Sequence, residues 1–173
     1  GTPVTGIAGK TGFISFVIHK KHMSGEIGFL RRVLSIFEKY GINVEHIPTG
    51  MDIISVVVLE EQAAKHVHAI LSEIENTLSA DVTVDRNLSL IAIVGRNMAG
   101  HYGISASVFG IFGDNGINIK LIVQSPDELN IIVGIDAQYH EKAIGCLYNG
   151  LCREGLLPQN PGGTLQQLPA PWQ

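Results

Sequence analysis

Apolar residues alternate with polar ones or recur at helical spacing, in an order that repeats along the chain. Phe13-Ile-Ser-Phe-Val-Ile18 is β-branched and aromatic and predicts a strand. From Glu26 to Tyr40, Ile27, Leu30, Val33, Leu34 and Phe37 share one helical face, Arg31, Arg32, Glu38 and Lys39 lie outside it, and Gly41 supplies the stop. Asn43 to Ile47 predicts a strand, Pro48 to Asp52 a turn, and Ile53 to Leu59 a nearly unbroken apolar strand. Glu60 to Leu78 predicts a second helix through Ala64, Val67, Leu71, Ile74 and Leu78. Val82 and Val84 alternate with Thr83 and Asp85, as an edge-type strand does. The order is β-α-β-β-α-β.

This order occurs twice. Met23-Ser-Gly and Gly41-Ile-Asn-Val-Glu-His-Ile47 return as Met98-Ala-Gly and Gly116-Ile-Asn-Ile-Lys-Leu-Ile122, 75 residues on, and the offset holds from Phe13/Leu88 to Leu59/Gly134. Such a repeat is a duplicated supersecondary unit. The second copy predicts strand Leu88 to Val94, helix Gly103 to Phe112, strands Ile117 to Val123 and Leu129 to Ile135, and helix Gln138 to Leu151. In the first copy the first and third strands are apolar on both faces and the others alternate. An α+β, ferredoxin-like sheet with those two strands central requires this, with both helices on one face.

The fourth strand of the second copy is the exception, because Leu157-Pro-Gln-Asn-Pro161 carries two prolines and cannot pair regularly. Pro3 to Ala8 reads as a short strand before a turn at Gly9 to Gly12 and is free to fill the gap. The expected layout is a first domain, 10-86, inserted into a second built from 2-9 plus 87-153, followed by a poorly packed Pro/Gly-rich tail, 154-173.

Composition narrows the function. The chain is 45% hydrophobic and 16% charged, so small domains of this kind have apolar surface to place in an interface. A net charge of −4 argues against a nucleic-acid backbone as ligand, and Ile53 to Leu59 lacks the aromatic and basic residues of an RNA-binding sheet. Cys146 and Cys152 lie on different faces of a helix and read as free thiols of a reducing compartment. No apolar run reaches the ~20 residues of a membrane span, no signal peptide precedes the first turn, and a start on Gly1 suggests a fragment. A soluble, cytoplasmic protein is expected.

The candidate chemistry is sparse. Gly9-Lys10-Thr11 imitates the end of a phosphate-binding loop, but Val4 stands where that motif needs its first glycine and a strand follows where it needs a helix. His66 and His68 diverge on their helix, and His19, His22 and His46 lack partners at metal spacing, so no metal site is expected. Gly28 and Gly103 open the first helix of each copy, where free amides and the positive helix end suit a carboxylate; close helix packing is the competing reason for glycine there. In the first copy Glu26, Asn43, Glu45 and Asp52 are expected around this end, acidic partners for an ammonium unless they are solvated surface charges. Lys120 replaces Glu45 in the second copy, and the helix from Gly103 to Phe112 carries no charge, as a helix buried on more than one side would. Arg96 and Asn118 could mimic an acylphosphatase-like small enzyme.

The paired units, each with a glycine-opened helix and a Gly-Ile-Asn-(Val/Ile) approach to the next strand, resemble tandem ACT domains. Gly1-Thr-Pro-Val-Thr-Gly-Ile7, Met23-Ser-Gly, Gly28-Phe-Leu30 and Asn43-Val-Glu-His-Ile47 resemble the regulatory C-terminal region of aspartate kinase, over about residues 1 to 152. The resemblance implies a lysine or threonine sensor that forms a homodimer through its ACT domains, with feedback control over aspartate phosphorylation by ATP. It places effector contacts on Met23, Ser24, Glu26, Ile27, Gly28, Phe29 and Leu30, and on Asn43, Val44, Glu45 and Asp52. It implies no cofactor in this fragment, since ATP and magnesium belong to a catalytic domain outside it. A stand-alone amino-acid sensor is the alternative. Ser24-Gly-Glu-Ile-Gly28 departs from the common Pro-Gly form of this turn.

Overall fold

Two long strands carry the architecture. The computed structural model describes residues 1–96, 103–124 and 130–159. In chain order the elements are β1 (Val4–His19), α1 (Phe29–Lys39), β2 (Val44–His46), β3 (Ile53–Leu59), α2 (Glu60–Ala63), α3 (Val67–Leu78), β4 (Asp81–Gly95), α4 (Ile104–Asp114), β5 (Ile119–Gln124), β6 (Asn130–Asp136) and α5 (His140–Arg153). The chain divides into an inserted unit, Gly12–Leu88, and a host unit of Gly1–Thr11 with Ser89 onward. β1 and β4 each contribute one half to each unit.

The expected turn at Gly9 to Gly12 is therefore wrong, because β1 runs through it without interruption. Gly12 lies at φ 85°, where a side chain would be strained, so this glycine serves a local twist of a strand and ends nothing. The strands read separately at Val82–Asp85 and Leu88–Val94 are likewise one continuous strand, β4.

In the inserted unit the strand order is β2-β3-β1-β4. β1 pairs antiparallel with β3 from Phe13↔Leu59 to His19↔Ile53. Ile14, Phe16 and Ile18 point to one face, where they meet Val56 and Val58 and the buried sides of α1 and α3, including Val33, Phe37, Ile70 and Ile74. Phe16 and Phe37 pack edge to face at 5.2 Å, the arrangement that ring quadrupoles favour. The helix expected from Glu60 to Leu78 is broken into α2 and α3 by a 3₁₀ turn at Ala64–His66, which sets the His66 ring 5.1 Å from Tyr40.

In the host unit the order is β1-β4-β6-β5, with the N-terminal half of β1 supplying the outer strand. Arg96 N donates to Pro3 O at 2.9 Å, Thr5 Oγ1 to Val94 O at 3.1 Å, and Ser89 Oγ to Lys10 O at 3.3 Å. These partners run in opposite senses, so β1 and β4 are antiparallel. Val4 N also donates to Leu156 O at 3.0 Å, and Leu157 is buried in the host core. The expected loose tail thus starts no earlier than Pro158; residues 160–173 lie outside the described part. α4 buries Ile104, Val108, Ile111 and Phe112 and exposes Ala106, Gly110 and Gly113 in the single chain.

Candidate functional site

The loop between β1 and α1 is anchored at both ends by core residues. Met23 and Phe29 are buried against Ile18, Val33 and their neighbours, while Ile27 between them is fully exposed. Gly28, the N-cap of α1, lies at φ 76°, and a Cβ there would meet no atom within 4 Å. Gly103 matches it at φ 88°, also in open space. Backbone conformation, not close packing, is why both helices open on glycine.

Phe29 N donates to Glu26 O at 3.4 Å. The next amides, Leu30 and Arg31, have no acceptor within the helix, so two donors face outward at its positive end. Glu26 closes the loop from below. Its Oε2 lies 2.7 Å from Lys20 Nζ and its Oε1 2.8 Å from Arg32 Nη1. The Lys20 hydrogen bond holds the Glu26 carboxyl below its ordinary pKa, with the charges of Lys20 and Arg32 adding to it against desolvation. Both cations do a second job: Lys20 Nζ donates to Leu78 O at 2.8 Å and Arg32 Nη2 to Thr77 O at 3.1 Å. They cap the negative end of α3, where unpaired carbonyls gather. Both cations are held between Glu26 and the α3 carbonyls, which makes Glu26 a poor acceptor for a further ammonium.

The predicted site residues do not form one cluster within the chain. Asp52 is at the same end as the loop, with Lys20 N donating to its carbonyl at 3.1 Å. Val44 instead pairs with Val58, and His46 with Val57, which sit level with Ile14 and Ser15. His19 is four residues further along β1, about 13 Å at the usual rise per strand residue. Asn43 is held at the far end, where Gln62 Oε1 accepts from its backbone N at 2.9 Å, and its Nδ2 donates to Glu45 Oε1 at 3.2 Å. The expectation that Asn43 and Glu45 surround the same end as Glu26 fails because β2 is short and pairs low on β3. Beside them, His46 Nε2 is buried without a hydrogen-bond partner among the described residues, and burial depresses the pKa of that imidazole.

Sequence reasoning missed Lys20 and Arg32. Their partners are carbonyls at the end of α3, 58 and 45 residues away, and nothing local in the sequence announces that pairing. In the host unit Lys120 faces Asp136 at 3.7 Å, and residues 98–102, equivalent to Met23–Ile27, lie outside the described residues. Arg96 and Asn118 are both exposed. Among the described residues no group of three or more metal-binding side chains converges, and no helix is long and apolar enough to cross a membrane.

Topology and sequence comparison now agree on a class. Residues 91–151 match the family model of the ACT domain; the inserted unit runs βαββαβ, and the host unit builds the same sheet with its last strand supplied from the N-terminus. The chain is a pair of ACT domains, the first inserted into the second. By sequence it is homologous to the aspartokinases. It is 36% identical over 148 residues to aspartokinase 3 of Bacillus subtilis, covering 84% of this chain and 33% of that protein. It overlays the aspartate kinase of Clostridium acetobutylicum with a TM-score of 0.81 at 36% identity, covering 85% of this chain and 34% of the other. A structure of aspartokinase alpha and beta subunits matches with a TM-score of 0.73 at 26% identity, over 86% of this chain and 99% of that one. The chain thus spans about a third of the length of the B. subtilis and C. acetobutylicum proteins.

Proposed function

We propose that this chain is the regulatory region of an aspartate kinase, binding lysine or threonine at the mouth of α1 between two copies of itself. The likeness to an aspartokinase across both units, at 36% identity, carries this reading. The fold is also that of E. coli aspartokinase III, solved with lysine and aspartate, which this chain overlays with a TM-score of 0.71 at 20% identity. An amino acid is therefore the ligand class to test first. The effector carboxylate sits on the Leu30 and Arg31 amides, at the positive end of α1.

Division of the site residues between two ends of the inserted unit fits a dimer. β2 is the outer strand there, and an outer strand offers unpaired backbone groups to a second chain. Antiparallel pairing of β2 with its copy reverses one chain against the other. The partner's Asn43–Glu45 end then meets this chain's loop end, joining the groups that one chain keeps apart. An acidic Glu45 from one copy and Asp52 from the other supply the ammonium site that Glu26 does not.

The regulated activity, transfer of phosphate from ATP to the aspartate side chain, belongs to a catalytic domain beyond this chain, with its ATP and magnesium. Control follows if the effector binds one dimer arrangement more tightly than another. Calorimetric titration with lysine, threonine and methionine, alongside sedimentation, tests the proposal. Saturable binding of one of them to a dimer is expected; a folded dimer that takes none at millimolar concentration sinks it.

A further inference from the structure

The Gly9 to Gly12 segment, so like a phosphate loop in sequence, lies where β1 leaves the host unit, between Thr11 and Gly12. β4 enters that unit at Ser89, which is fully buried. The Ser89 hydroxyl donates to the Lys10 carbonyl and also hydrogen-bonds His140 Nδ1, on the first turn of α5. A hydroxyl has one proton to give. With it committed to Lys10, the second bond requires His140 Nδ1 to carry a proton and donate it to Ser89 Oγ.

Glycine at position 9 makes this approach possible. A Cβ there would stand 2.6 Å from His140 Cε1 and 2.8 Å from Ile144 Cδ1, closer than packed atoms tolerate. We infer that Gly9, Ser89 and His140 form a staple by which α5 fixes β1 and β4 to each other at the level where both strands pass out of the host unit. The chain crosses between units only at Thr11/Gly12 and Leu88/Ser89. A displacement that travels along either strand therefore reaches this staple first, and through His140 it reaches α5. Ser89 has no exposed surface for a substrate, so His140 is a positioning residue and the pair is not a nucleophile with its base. The staple is independent of what the inserted unit binds.

Amide hydrogen exchange of the whole chain tests it. Ser89→Ala, His140→Ala and Gly9→Ala each accelerate exchange at residues 10–12 and 88–90 by about five- to tenfold, the effect of losing one hydrogen bond of ordinary net worth. Amides of β3 keep their wild-type rates. Because Ser89→Ala already removes both bonds of the hydroxyl, Ser89→Ala with His140→Ala is no worse than Ser89→Ala alone. Nitrogen-15 NMR of the unaltered chain at about pH 8 finds the imidazole proton on Nδ1, a readout that does not depend on any variant folding. Unchanged exchange in the single variants, additive losses in the double, or a proton on Nε2 overturns the staple.

Discussion

Lys20 Nζ stands 2.7 Å from Glu26 Oε2 while donating to the Leu78 carbonyl at 2.8 Å, so one ammonium ties the loop before α1 to the end of α3. Arg32 repeats the connection through Glu26 Oε1 and Thr77 O. Glu26 is the shared member of both.

The first prediction concerns acid. Glu26 has a folded pKa below its ordinary 4.5, so its stabilising effect is complete above that value and is lost as pH falls through the depressed one. Glu26→Gln lowers the melting temperature near neutral pH, and the gap from wild type closes as pH drops below about 4. Because the ion pairs are partly open to solvent, added salt narrows the gap as well. Melting curves across pH at low and high salt check both trends.

His46 adds a second loss on the acid side, at higher pH. Burial lowers its folded pKa below the ordinary 6.5. On acidification the unfolded chain takes up the proton first, so stability falls as pH drops below about 6.5. His46→Phe removes the buried, unpartnered Nε2. The variant is expected to match or exceed wild type by up to about 1 kcal/mol at pH 7 and to lose the decline between pH 7 and 5. Denaturant titrations at both pH values measure it.

A third prediction isolates a packing contact. A Cβ on Gly134 in β6 would stand 2.5 Å from Leu121 Cγ on β5. Gly134→Ala costs about 1–3 kcal/mol by overpacking, and Leu121→Ala in the same chain recovers most of that. A double-mutant cycle by urea unfolding gives the coupling; additive losses would count against the contact.

In the inserted core, Phe37→Ala removes a fully buried ring that meets Phe16 edge to face. A loss of about 3–5 kcal/mol is expected, enough to unfold that unit first. Fluorescence or exchange data should then show two transitions in place of one.

Effector binding provides the last prediction. Glu45→Lys installs the charge that the second copy carries at Lys120. If Glu45 holds an effector ammonium across the dimer, affinity falls by about tenfold or more, as for loss of a charged hydrogen bond, and dimerisation survives. Calorimetry on the variant reads both; unaltered affinity removes Glu45 from the site.

The sequence spoke most clearly where burial is two-sided. Ile53 to Leu59 is apolar on both faces and appears as β3 with the predicted bounds. Glycine was harder to read. Gly41 stops a helix as expected, yet Gly9 and Gly12 look the same in sequence and lie inside a strand, one admitting His140 and the other taking a positive φ. In the candidate site the pattern could mark the loop but could not separate the core anchors Met23 and Phe29 from the exposed Ile27. Nor could it register β2 on β3, which decides that Asn43 and Glu45 lie away from Glu26. Register and long-range capping depend on tertiary pairing, and a single sequence carries no local trace of them.

Lys10 and Ser89, the last residues but one before the insert and the first after it, are hydrogen-bonded neighbours on adjacent strands. The two ends of the inserted unit therefore leave the host side by side, about one strand spacing apart. A two-residue turn could join them, so the host should survive excision of 77 intervening residues, Gly12–Leu88, or their exchange for another domain whose termini are equally close. The inserted unit is built as a cartridge, and the arrangement lets its surface change without remaking the fold that holds it.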